Sequence, residues 1–195
     1  MESSNRGPVS SERLNRVYLA IISRYKDYIE EKEGLSVAEL PTLVMPNDPK
    51  VIEKTEEIKS EFLNYSYDQS FYEASMRAYK FITEEISDVT LPLQFWLTPS
   101  ETIEFEMGDQ IDKSILLCSM LVRLGNPSSK VFVIVREDNS REISVYYTLD
   151  GKLYLLGSDS GVRSFAGKDQ MLERLVISEN DSAYEFNNQM YADIF

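Results

Sequence analysis

Residues 110–124 constrain the fold more than any other segment, because Ile111, Ile115, Leu116, Leu117, Cys118, Met120, Leu121 and Val122 leave a helix there almost no polar face. Asp109 caps its start and Gly125-Asn126-Pro127 stops it. A helix this apolar is either buried or membrane-spanning, and this one falls short of the ~20 residues a span requires. It is therefore predicted to be the central helix of a packed core. After it the hydrophobic period changes from 3.6 to 2: Val131 to Val135 is an apolar strand, and Ile143, Val145 and Tyr147 alternate with polar neighbours. Leu149-Asp150-Gly151-Lys152 is a hairpin turn into Leu153 to Leu156.

Three helices are predicted before any strand. Leu14, Val17, Tyr18, Ile21, Tyr25, Tyr28 and Ile29 recur at three- and four-residue steps on a helix ending near Gly34, and its tyrosines are read as core and rim packing. Asp48-Pro49 opens a second helix with Val51, Ile52, Thr55, Ile58 and Phe62 inward. Ser70 and Glu73 have capping-box spacing at the start of a third, with Phe71, Ala74, Ala78, Phe81, Ile82 and Ile86 as its stripe. Thr98-Pro99-Ser100-Glu101 then opens a short helix that should end at Gly108. Helices first and strands second predict an α+β fold, with N-terminal helices and a buried central helix packed on an antiparallel β-sheet. Residues 1–45 are read as an N-terminal helical extension and 46–195 as the main domain, carrying an aromatic C-terminal tail with Tyr184, Phe186, Tyr191 and Phe195.

The chain contains no histidine and one cysteine. That excludes a Ser-His or Cys-His pair, imidazole metal ligation, an internal disulfide and a Cys-rich zinc site. No Asp-x-Asp-x-Asp-Gly loop supports a calcium site, so no metal or other cofactor is expected. A net charge of −13 opposes binding to phosphate backbones and anionic membranes, and it favours a basic protein or peptide partner. The first fifteen or so residues lack the apolar region of a signal peptide. A cytoplasmic location is the expectation.

The order of capped helix, Gly-Asp step, buried helix, apolar strand and hairpin resembles the core of the transglutaminase-like superfamily, which has a papain-like, cysteine-protease-type fold. The resemblance rests on Ser100-Glu101-Thr102-Ile103, Gly108-Asp109-Gln110-Ile111-Asp112-Lys113-Ser114, Leu121 to Gly125, Val131 to Val135 and Val145 to Leu156, within residues 45–160. It implies a cysteine nucleophile after the Gly-Asp step, a histidine base on the following strand and an acidic residue on the next. Carried over, these positions fall on Gln110, Glu142 and Gly157, with Asp159 two residues beyond. The resemblance thus implies the fold of a cysteine protease and the loss of its Cys-His-Asp triad: a pseudoenzyme.

Other readings stay open beside this one. Cys118 lies two turns inside the central helix among apolar residues, which suits a structural thiol. Asp109 and Asp112 suit a cap and a first-turn acid, and Glu142 an exposed charge beside a strand. The leading expectation is a protein- or peptide-binding module whose groove contains Asp109, Gln110, Glu142 and Asp159. The alternatives are a hydrolase or transferase that uses carboxylates in that groove, and a structural subunit whose aromatic tail would make an oligomer.

Overall fold

The computed structural model describes residues 11–33, 37–90, 95–157 and 161–194. Helix α1, Ser11–Glu33, belongs to a separate unit from the body, which comprises Leu35–Thr90 and Trp96–Phe195. The apolar stripe of α1 finds no core of its own: Val17, Tyr18, Ile21, Tyr25 and Tyr28 are between 49% and 62% exposed. The expectation of tyrosine core packing is corrected here, since one helix cannot enclose its own apolar face.

The body begins with a 3-10 helix, Val37–Leu43, followed by α2, Pro49–Ser60, and α3, Tyr67–Glu84. Leu40, Leu43 and Val44, placed by sequence in the N-terminal extension, are buried in the core of the body. Asp48 caps α2, accepting hydrogen bonds from the backbone N–H groups of Lys50 and Val51 at 2.9 and 3.3 Å, with Pro49 in the first turn. Helix α3 starts earlier than its sequence signal suggested. Its N-cap is Ser66, and Ser70 sits inside the helix, where its own N–H is already bonded to the Ser66 carbonyl at 2.9 Å.

Strand β1, Ser87–Asp88, pairs in parallel with β2, Met107–Gly108, on either side of α4, Pro99–Phe105. Thr98 and Glu101 form the expected capping box of α4. That helix ends on Glu106 in the left-handed region (φ 54°), before Gly108, because Met107 and Gly108 are drawn into β2. Helix α5, Gln110–Arg123, closes at Leu124, and Gly125 takes φ +111° as its N–H bonds back to the Val122 carbonyl. A side chain at Gly125 would meet that strained φ and the Tyr67 ring 3.1 Å away, so glycine is required.

The main sheet has the order β6-β5-β4-β3-β7-β8, antiparallel throughout. Its strands are β3 Lys130–Val135, β4 Arg141–Leu149, β5 Lys152–Gly157, β6 Gly161–Phe165, β7 Ser182–Phe186 and β8 Tyr191–Asp193, with helix α6, Lys168–Arg174, between β6 and β7. Asp150 (φ 49°) and Gly151 (φ 74°) form the β4–β5 turn with both central residues at positive φ. One face of the sheet, with Val131, Val133, Val145, Tyr147, Leu156 and Phe186, packs against the helices. The other, with Phe132, Ile134, Tyr146, Leu153 and Leu155, is covered by Met171 and Leu175. The C-terminal aromatics are not a free tail. Tyr184 stacks on Tyr191 and Phe186 within the sheet at ring distances of 5.6 and 6.4 Å; Phe195 lies outside the described residues.

Candidate functional site

The start of α5 is closed by a reciprocal capping box. Asp109 accepts from the N–H groups of Ile111 and Asp112 at 2.8 and 2.9 Å. Asp112 reciprocates, accepting from the Asp109 N–H at 3.0 Å with one oxygen and from the Leu97 N–H at 2.8 Å with the other. Asp112 is fully buried, and burial, reinforced by the nearby Asp109 charge, pushes its carboxyl up to about 7. Gly108 is needed for this packing, because a Cβ there would lie 2.9 Å from the Asp112 Cβ and 3.2 Å from the Thr102 methyl. The capped turn therefore holds the first residues of α5 in a single arrangement against the segment entering α4.

That arrangement leaves a small cleft of about 80 Å³ between α5 and α3. From α5 come Gln110, Lys113, Ser114 and Leu117; from α3 come Tyr79, Ile82 and Thr83; Asp88 of β1 and Leu156 of β5 close it. Lys113 is 7% exposed, and its Nζ donates to Asp88 Oδ1 at 2.8 Å. The Tyr79 hydroxyl donates to the Gly157 carbonyl at 2.7 Å, which ties α3 to the end of β5.

The residues expected to share a groove do not all meet. Asp109 and Gln110 stand at the mouth of α5, and Gln110 lines the cleft. Glu142, however, is in register with Ile134, on the sheet face turned away from α5, and its carboxylate pairs with Arg136 Nη2 at 2.7 Å. Gly157 is in register with Ser144, two residues along β4 from Glu142 and so on that same far face. Asp159 lies outside the described residues. At this end of β4, the face turned toward the helices is presented by Arg141 and Ile143. Successive strand residues present opposite faces, so Glu142 points away from its neighbours Arg141 and Ile143.

The sequence reading assigned no site role to Lys113, Ser114, Asp88, Tyr79 or Thr83. Lys113 alone carried a signal: an ammonium in the first turn of a buried helix opposes the helix dipole and needs a partner. Cys118 is fully buried, its Sγ donating to the Ser129 carbonyl at 3.5 Å, and burial raises its thiol to about 12. Among the described residues no three His, Cys, Asp or Glu side chains converge as metal ligands, and no helix is long and apolar enough to cross a membrane.

No family model and no curated protein matches the chain. Among solved structures it is similar to LapG of Legionella pneumophila, with a TM-score of 0.52 and 17% identity, covering 82% of this chain and 88% of that one. The EGTA-treated form of the same protein gives a TM-score of 0.51 and 16% identity, covering 83% and 87%. At these identities the likeness is one of fold, the α+β arrangement of a buried helix on an antiparallel sheet.

Proposed function

We propose that this chain is a transglutaminase-like domain without the reaction of that fold, and that it binds a protein or peptide segment at the cleft beside Gln110. One observation carries the reading. The helix start that would hold a nucleophile is built rigidly and opens on a cleft, yet it offers the Gln110 carboxamide, and the sheet face turned to the helices offers Ile143 and Arg141. A carboxamide has no nucleophilic atom comparable to a thiolate, an isoleucine takes no proton, and an arginine stays protonated. A carboxamide both donates and accepts, which suits holding a peptide backbone.

The carboxylate-enzyme alternative loses support from the same geometry, because Glu142 is engaged by Arg136 on the opposite face of the sheet. The overall charge of −13 favours a segment rich in Lys and Arg.

Selection from a random peptide library against the full chain tests the proposal. Selected peptides should lose binding to Gln110→Arg, and a panel of amide and ester substrates should show no turnover. Peptides that bind Gln110→Arg equally well, or turnover abolished by Glu142→Gln, would overturn it.

A further inference from the structure

The ion pair inside the cleft is lopsided. The side chain of Lys113 is 8% exposed, whereas that of Asp88 is 80% exposed. Lys113 cannot leave, since a buried ammonium without an anion is strongly unfavourable. Asp88 can leave. It stands on the two-residue strand β1, both of whose residues are exposed, and its carboxylate is already largely in water.

Asp88 therefore resembles a tethered substitute for a carboxylate arriving from outside. Around Lys113 the cleft also carries the Ser114 hydroxyl, able to donate to the second oxygen of such a carboxylate. The cavity of about 80 Å³ bounds the ligand. A space this small favours the narrow end of a chain over its middle.

Resting on the binding reading above, we propose that the cleft takes the C-terminal carboxylate of a peptide, which replaces Asp88 on Lys113. The acidity of the whole chain does not oppose this, because at physiological salt charges beyond about 8 Å are largely screened. A basic segment that ends in a free carboxylate meets both the global and the local charge.

The test uses the full chain and NMR titration with an N-acetylated Lys-Lys-Ala-Ala peptide, as the free acid and as the C-terminal amide. The free acid should shift the Gln110 and Lys113 resonances, and the amide should bind about tenfold more weakly, the usual loss of a charge-assisted hydrogen bond. Asp88→Ala, at an exposed position that keeps its backbone pairing, should tighten the acid about threefold or more by removing the tethered competitor, and leave the amide unchanged. Lys113→Met should erase the preference for the acid.

Equal binding of acid and amide at the cleft, or an Asp88→Ala variant with unaltered acid affinity, overturns the carboxylate inference and leaves peptide binding standing. So does N-acetylglutamate amide binding as tightly as the free-acid peptide, since a side-chain carboxylate would then suffice. Failure of both peptides to perturb the cleft in either the wild-type chain or Asp88→Ala overturns the binding reading as well.

Discussion

The Tyr146 hydroxyl donates to Glu185 Oε2 at 2.7 Å, across the face of the sheet that α6 covers. Glu185 is 3% exposed and also accepts from Lys130 at 2.7 Å and Lys168 at 2.6 Å, so β3, β4, β7 and the first turn of α6 meet at one carboxylate. Burial pushes its pKa up, but the two lysines and the tyrosine outweigh burial and hold it below the ordinary glutamate value.

Glu185→Gln should destabilise the fold by about 2–3 kcal/mol, and Tyr146→Phe by about 1–2 kcal/mol, because each leaves buried partners unsatisfied. Urea denaturation of the single and double variants should show coupling between them; strictly additive losses would remove the network. A lowered folded-state pKa contributes stability above the unfolded value of about 4.5, lost as pH falls through the folded value. The acid-side loss should be smaller in Glu185→Gln.

Asp112 acts in the opposite sense. Its folded-state pKa is raised from 3.8 to about 7, so between those values the folded chain retains a proton that the unfolded chain has released. Stability from this group is full below about pH 4 and declines as pH rises toward 7, by an amount on the order of 1–3 kcal/mol. Denaturation midpoints at pH 5 and pH 8 should differ more in the wild-type chain than in Asp112→Asn. An identical pH dependence in both would assign the effect elsewhere.

Val176 sits at φ +48° and is 79% exposed, a conformation β-branched residues rarely adopt. Arg136 holds it there, donating to the carbonyls of Leu175 and Val176 at 3.3 and 3.1 Å while pairing with Asp181 at 2.9 Å. Val176→Gly should stabilise the protein by about 1 kcal/mol, since an exposed side chain contributes little packing and glycine relieves the strain. Thermal denaturation checks the sign; a lowered midpoint would count against strain at this residue.

Cys118, with its thiol raised to about 12 and no exposed surface, should react with a thiol probe at pH 8 only as fast as the protein opens. Addition of urea should accelerate labelling in step with loss of circular dichroism. Labelling within seconds in the native state would reopen a reactive role for this residue.

The helix-and-hairpin half of the fold was legible because its signals are local. Asp48-Pro49 and Thr98-Pro99-Ser100-Glu101 cap helices through contacts within four residues, and Asp150-Gly151 supplies the positive φ of its own turn. The C-terminal part was not legible for the converse reason. Strand β7 inserts beside β3, with Val133 opposite Tyr184, a pairing between segments some fifty positions apart that neither announces on its own. The candidate site lay between these cases. Gln110 was reachable from the Gly-Asp step, while the cleft also depends on Asp88 and Tyr79, whose neighbourhoods hold no pattern pointing to it.

By itself the sequence determined the buried α5, the antiparallel hairpin after it and, through the absence of histidine, the loss of imidazole chemistry, because periodicity, capping and composition are properties of residues and near neighbours. Only the tertiary structure decided which face each strand residue presents. Register turned Glu142 away from α5 and Ile143 toward the helices, and packing set the buried Lys113 against the exposed Asp88. Those relations depend on segments distant in the chain closing on one another, and a single step of register reverses them.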